Sequence, residues 1–556
     1  MKKINLIPIL LLLLSAYSCE EFLTEEPQTF VSTTNFYNDE SDARTATDAI
    51  YQSLSSNIYA RWWPIIDVGT DDASSKLNGN TFSNWHDHTI AGSEAWFESW
   101  AQYSGFWEGI GRANSVIANL PGIDMDDVAK NEMIGEARAM RALNYFHLVR
   151  TYGDVPMIVD EVKVKDDFLL PRSSVNDIYE QVIIPDLQFA AENCKDALHD
   201  GRVTKWTAKV ILADVYQTYA GWRRTSQGEF VQGDSKYWEL ARDMAKDVID
   251  NSPNSLITEP AVNGQNIIPA SGVAWSVYHP FTSESMMELG YTGSEGLGSW
   301  LSRECAGSTT GTSFWGANTN AKPFSADGIT LTINQMKFPK IIGVGLYIPS
   351  PDLWREYEAG DERREASILT RYINAAGTTY LTQPGFRKYV DFDYYEGLDG
   401  TSFQYTNNNF LLYRYADALL IYAEAANEVA PAVAGDDAYQ AVNDIRNRAG
   451  LEDLTTGLSQ DEFREAVWHE RRCEFAGECK RRFDLIRTNR LKTETDQIDI
   501  QWLPTDNPPY STTYTNCQAS YGKVLWPDRE WLMPIPYSEM ELNRPYGWVQ
   551  NDGYAD

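Results

Sequence analysis

The stretch Gly135–Pro156, GEARAMRALNYFHLVRTYGDVP, constrains the fold of this chain more than any other. Read at helical period it carries two apolar stripes. Ala142, Phe146 and Val149 fall at i, i+4, i+7; Tyr145, Leu148 and Tyr152 fall at i, i+3, i+7. A surface helix needs one stripe, so a helix with two is predicted to be packed around most of its circumference. Arg138 and Arg141 stand among those apolar positions. Guanidinium groups there must be paired or hydrogen-bonded, because an unpaired buried charge is very costly. Gly153 supplies the C-terminal stop and Pro156 keeps the helix from resuming.

Around this core helix the periodicity predicts others: Asp39–Leu54, Ala95–Leu120, Asp177–Leu198, Lys205–Gly221 and Lys236–Asn251. The last two form a pair. Ala208, Leu212, Val215 and Tyr219 share one side, and YWELARDMAKDVI follows a glycine-containing turn. Small residues at facing positions of paired helices mark tetratricopeptide-like stacking. The arrangement recurs where Tyr415, Leu419, Tyr422 and Ala426 line one helix and Ala438–Ala449 forms its partner. The fold class is therefore mostly α, a tetratricopeptide-like helical-pair scaffold over 35–251 and 411–556. A loop-rich, partly β insertion over 252–410 splits it.

That insertion is rich in Gly, Ser, Thr, Asn and aromatics, with a strand expected at Met286–Tyr291. Arg61–Ile66 (RWWPII) reads as an extended segment interrupted by Pro64, and Asp67–Glu94 as a loop.

The net charge of −32 argues against nucleic acid, since phosphate binding needs clustered cations. The same field repels strongly anionic polysaccharides at long range and favours a neutral ligand, although a local basic pocket can override it. The basic run Arg471–Arg490 is interleaved with Glu470, Glu474, Glu478 and Asp484 at helical spacings, so mutual ion pairing is its expected role. Of six cysteines, Cys19 belongs to an export signal. The rest, Cys194, Cys305, Cys473, Cys479 and Cys517, make neither a disulfide framework nor a zinc pattern and read as small hydrophobes. Cys473 and Cys479 are expected on one helix, pointing apart.

Lys2 and Lys3 precede an apolar run from Ile4 to Leu14, then Ser15-Ala16-Tyr17-Ser18 and Cys19. The run is too short to span a bilayer, so residues 1–18 read as a secretory signal peptide. The arrangement resembles a bacterial lipobox with Cys19 as the lipid attachment site. Acylation there exceeds the two-signal threshold for stable anchoring, at ~0.8 kcal/mol per buried methylene. Residues 19–34 would form the lipidated tether and 35–556 a single domain.

Catalytic motifs fail. GIGRAN (Gly109–Asn114) and GVGLYI (Gly343–Ile348) lack the third glycine of a dinucleotide loop, and GTSFW (Gly311–Trp315) lacks the second glycine of a nucleophile elbow. HDH (His86–His88) has no third histidine nearby, so no metal and no cofactor is expected.

What remains is binding. Sugars present apolar C–H faces and a rim of hydroxyls, which proteins grip with indole or phenol rings and with polar groups. Loop aromatics beside polar residues are the candidates: Trp85 in FSNWHDH, Trp300 and Trp315 in the insertion, and Tyr394 and Tyr395 in DFDYYEG. Asp67 at the mouth of the first loop and Arg371 are the candidate polar partners, and Cys305 is close enough to Trp300 to line the same pocket.

GEARAMRALNYFHLVRTYGDVP is similar to the signature helix of the SusD/RagB family, surface glycan-binding lipoproteins of Bacteroidetes-type bacteria. RYADALLIYAEAANE (Arg414–Glu428), AVNDIRNRAGL (Ala441–Leu451), HERRCEFAGECKRRFDLIR (His469–Arg487) and WLMPIPYSEMELN…QNDGY (Trp531–Tyr554) follow in the family's order. The resemblance implies an outer-membrane, lipid-anchored protein facing the cell exterior that captures oligosaccharide without catalysis. It implies a SusC-like TonB-dependent transporter as partner, over which the protein acts as a hinged lid. Within that family the central region and the loop after the first helix shape the ligand surface. Two alternatives stand beside this reading, a surface glycoside hydrolase and a binder of a non-sugar cargo such as peptides. A hydrolase needs only two carboxylates about 5–10 Å apart, and among 79 acidic residues no local context singles out such a pair.

Overall fold

The computed structural model describes residues 36–75, 83–93, 97, 102–164, 168–263, 266–294, 297–305, 321–323, 345–374, 379–389, 405–498 and 526–555. The signal peptide, Cys19 and the tether lie outside them. Among the described residues no helix is long and apolar enough to cross a membrane.

The central helix runs from Asp127 to Tyr152. Asp126 caps it by accepting from the Val128 and Ala129 amides, each at 3.0 Å. Gly153, at φ 73°, ends it in a conformation that side-chain-bearing residues avoid. Both predicted stripes are buried, as two-sided packing requires: Ala142, Phe146 and Val149 on one, Tyr145, Leu148 and Tyr152 on the other. Arg141 is buried and clamps Asp186 with two bonds of 2.7 and 2.9 Å, while its Nη1 donates to Asn114. Arg138 lies 3.7 Å from Asp186 and covers the Phe189 ring. Both arginines are thus paired, the buried Arg141 as the core requires and Arg138 at its half-exposed edge.

The helices form a row of neighbours. Tyr103–Asn119 packs on the central helix, which packs on Ile184–Asn193; Lys205–Ala220, Lys236–Asn251, Tyr415–Val429 and Asp437–Arg448 follow, each on the one before. Lys236–Asn251 and Tyr415–Val429 are far apart in sequence and adjacent in space, so the stack is continuous across that interval. Backbones approach closely where the row is tightest. A Cβ on Gly109 would come within 2.7 Å of the Asn144 and Ser53 side chains.

Five small sheets decorate the stack among the described residues. Ser285–Leu289 pairs antiparallel with Phe410–Arg414, the strand that leads directly into the Tyr415–Val429 helix. Ala73–Ser74 pairs with Ile348–Pro349, tying the first loop to the inserted segment. Thr379–Phe386, Ile368–Asn374 and Ala321–Pro323 form a three-stranded sheet.

Several elements differ from the sequence reading. Arg61–Ile66 is not extended: a π-type helix over Leu54–Trp62 passes into a 3-10 turn over Trp63–Asp67, with Pro64 tolerated because it opens that turn. The predicted Ala95–Leu120 helix is broken at Gln102, which sits at φ 55°, and Tyr103–Asn119 forms the helix that follows. The Asp177–Leu198 helix stops at Asn193. Cys473 lies in the last turn of the Gln460–Glu474 helix, but Cys479 follows that helix at φ 63° and shares no helix with it. Cys194, Cys305, Cys473 and Cys479 are all free and buried.

The basic run is ion-paired, but largely with remote residues. Arg472 and Arg481 hold Asp71, and Arg472 also holds Asp72. Glu474, interleaved in the run, pairs instead with Arg363, Arg414 and Arg448, all buried. Because these partners come from the insertion, its flanks and the scaffold, the network welds insertion to stack. Its carboxylates cannot lose their cations without stranding charge in the core.

Candidate functional site

A half-buried aromatic surface forms where the π-type helix ends. That wide turn presents Arg61 and Trp62 side by side while Trp63 turns into the core. The insertion meets it there. The Trp300 amide donates to the Ala60 carbonyl at 2.8 Å, and the Ser299 and Thr406 backbones bond reciprocally at 2.9 and 2.8 Å, which sets Tyr405 beside Trp300.

The Arg61 guanidinium lies between two indoles, 4.0 Å from the Trp62 ring centre and 4.1 Å from that of Trp300. Arg303 approaches the Trp300 ring at 5.1 Å, and Tyr405 meets its edge at 5.4 Å in a T-shaped contact. Arg61 Nε donates to Glu304 Oε1 at 2.9 Å. Glu304 is buried and its other oxygen has no hydrogen-bond partner among the described residues. Burial pushes the Glu304 carboxyl up from its usual range, against the pull of Arg61. Burial likewise pulls the Arg61 guanidinium down, and Glu304 opposes it. Nε donates to Glu304, and among the described residues the two Nη groups are left as donors for hydroxyls beside rings that suit a sugar's C–H face.

The structure sorts the sequence candidates. Trp300 is in this cluster. Trp85 is not: it is 3% exposed, in a short helix over Ser83–His86, with its indole stacked on Phe97 at 6.2 Å. The polar composition of FSNWHDH hid a ring that points inward. Asp67 is also buried, accepting the Arg482 amide at 2.9 Å and facing the Tyr347 hydroxyl at 3.4 Å, so it is an internal carboxyl and not the rim of a loop. Burial raises it to about 7. Cys305 is fully buried at the end of the short Leu301–Cys305 helix and does not reach the surface. Arg371 lies in the Ile368–Asn374 strand opposite Leu381. Trp315, Tyr394, Tyr395 and Cys19 lie outside the described residues.

Arg61, Trp62, Glu304 and Tyr405 were missed. RWWPII carried the signal, two adjacent indoles beside an arginine, but an extended reading put them on opposite faces. Burial drives His86 down to about 4, His88 Nδ1 is 2.9 Å from Glu530, and no metal-holding cluster occurs among the described residues.

The architecture is that of a tetratricopeptide-like helical stack with an aromatic cluster where the inserted segment meets the Leu54–Trp62 helix. Two family models match the chain: "SusD family" over residues 310–554 and "Starch-binding associating with outer membrane" over residues 21–217. SusD-like protein P25 of Formosa agariphila is 27% identical over 98% of this chain and 97% of its own length. The fold matches that of a SusD superfamily protein from Parabacteroides distasonis, with TM-score 0.70 and 24% identity over 92% of this chain and 99% of that one. It also matches a laminarin-binding SusD-like protein, with TM-score 0.67 and 22% identity over 93% and 100%. The chain belongs to the SusD/RagB family.

Proposed function

We propose that this protein is a non-catalytic, cell-surface lipoprotein of the outer membrane that binds an oligosaccharide and passes it to a SusC-like TonB-dependent transporter. Lipid attachment at Cys19 after removal of residues 1–18 would tether it there, with residues 35–556 as one domain and no cofactor. The observation that carries the reading is Arg61 held between the Trp62 and Trp300 rings at a half-buried surface, with Tyr405 alongside. The laminarin-binding relative and the starch-binding family description support a glycan as the ligand class. The net charge of −32 favours a neutral one.

A calorimetric screen of neutral glycans against the soluble form lacking residues 1–19 tests this. A neutral glycan should bind, and Trp62→Ala and Trp300→Ala should each weaken it. If no neutral glycan binds, or both variants bind as the parent does, the site assignment is wrong.

A further inference from the structure

A pocket that shares no residue with the aromatic surface lies elsewhere in the fold. The hairpin of Trp222–Arg224 and Phe230–Gln232 packs against the Arg481–Arg487 helix and the Asp528–Trp531 turn. The cavity between them, about 30 Å³, is lined by Arg150, Arg223, Arg224 and Arg487 together with Trp222 and Trp531, and no carboxylate is among its lining residues. In a chain of net charge −32 that is a local reversal of sign.

The four arginines are unequally neutralised. Arg487 pairs with Asp484 at 2.8 Å and with Glu424, and Arg224 pairs with Asp552 at 2.5 Å. Arg223 donates to the neutral Asn176 at 2.9 Å. Arg150 donates to His147 at 2.9 Å, and its ion-pair contact, Asp214, is 3.8 Å away. Two further donors on the lining residues, Arg224 Nε and Trp531 Nε1, are buried without a hydrogen-bond partner among the described residues. Arg224 is 7% exposed and Trp531 3%. Buried polar groups in native proteins are ordinarily satisfied, and both orphans here are donors. A group that only accepts hydrogen bonds and carries negative charge satisfies both conditions at once; a water satisfies only the first.

We propose that this pocket binds a carboxylate, held by Arg224 Nε and Trp531 Nε1 with the Arg223 and Arg150 charges facing it. The cavity is too small for a sugar ring but of the size of one carboxylate group. Its half-buried residues, Trp222, Arg223, Val175 and Thr218, open it to solvent. The carboxylate is therefore either a free small acid or the acid group of a uronic-acid unit whose ring remains outside. The site is independent of the Trp300 surface, so either assignment can fail without the other.

Acetate and its uncharged analogue acetamide, titrated against the mature protein at constant ionic strength and followed by thermal melting, separate charge from shape. Acetate should raise the melting temperature and acetamide should not. Arg223→Gln, at the half-exposed mouth, and Trp531→Phe, which keeps an aromatic ring and deletes the donor, should each weaken acetate binding at least fivefold. Glucuronate binding as well as acetate or better would assign the acid to a glycan; binding of acetate alone would assign a free acid. Equal effects of acetate and acetamide, or unchanged acetate binding in both variants, would overturn the proposal. So would bromide-soaked crystals with no anomalous peak in the pocket.

Discussion

Arg472 and Asp72 are 400 positions apart in the chain, and the Arg472 Nε lies 2.7 Å from the Asp72 carboxylate. The same guanidinium reaches Asp352 at 2.8 Å, Glu356 at 2.8 Å and Asp71 at 3.1 Å. One side chain thus ties the first loop, the inserted segment and the C-terminal scaffold together. Asp71 and Asp72 share Arg472 and Arg481. Their charges hold Asp71 well below the usual carboxylate range, while burial beside Asp71 leaves Asp72 raised. Arg472→Met should therefore destabilise by about 3–5 kcal/mol, because it strands buried carboxylates rather than removing a pair. Arg472→Lys should rescue little, since an ammonium cannot fork toward several acceptors. Urea unfolding measures both, and a loss below about 1 kcal/mol in Arg472→Met would contradict this account.

Asp67 gives a pH dependence of definite sign. Its carboxyl is raised to about 7 from 3.8 by burial, and the Arg482 amide bond opposes the shift only in part. Between those values the unfolded chain is ionised at Asp67 while the folded chain keeps the proton. The contribution is thus fully present below about pH 4, falls as pH rises, and is gone above about 7. The difference corresponds to up to about 4 kcal/mol. Asp72 is raised as well and slopes the same way, so the informative quantity is the parent minus Asp67→Asn. That difference should change across pH 4–7 and be flat above 7. A flat difference throughout would show that Asp67 is ionised in the fold.

Two tryptophans chosen by the same sequence argument should behave oppositely. Trp85→Ala empties a buried ring position beside Phe97 and should cost about 3–5 kcal/mol of stability, with glycan affinity of the folded protein unchanged. Trp300→Ala removes a half-buried ring that flanks Arg61 and should weaken glycan binding about tenfold, worth ~1.4 kcal/mol, with a smaller effect on stability. Parallel unfolding curves and calorimetric titrations of the two variants decide the matter. Affinity loss in Trp85→Ala with none in Trp300→Ala would invert the site.

Elements governed by local periodicity were legible in the sequence. The central helix, its buried arginines and its glycine stop follow from spacing and from the cost of unpaired charge, and the helical pairs follow from small residues on facing sides. Elements governed by distant partners were not. Asp71 and Asp72 look like loop acids until Arg472 and Arg481 fold onto them. Asp67 looks like a loop mouth until Tyr347 and the Arg482 amide enclose it. Trp85 has the more polar neighbours in sequence, yet tertiary packing sends its ring inward and leaves Trp300 half-buried. For RWWPII the missed feature was local, because a π-type helix is too rare to be inferred from six residues. That turn is what sets Arg61 and Trp62 together.

Glu304 distinguishes binding from hydrolysis at the aromatic site. Its carboxylate orients Arg61 through a 2.9 Å bond to Nε, and burial raises it as it would raise a general acid. A glycosidase needs a second carboxylate within about 10 Å of the first; the charges that act on Glu304 among the described residues are those of Arg61 and Arg303. Glu304→Gln keeps the shape and an acceptor oxygen for Arg61 but loses the charge. If Glu304 only positions Arg61, the variant should bind glycan several-fold more weakly, in line with about 1 kcal/mol for a weakened charge-assisted bond. Neither parent nor variant should then release reducing ends over long incubation. Release by the parent that vanishes in Glu304→Gln, with affinity intact, would make Glu304 an acid catalyst and the protein a hydrolase.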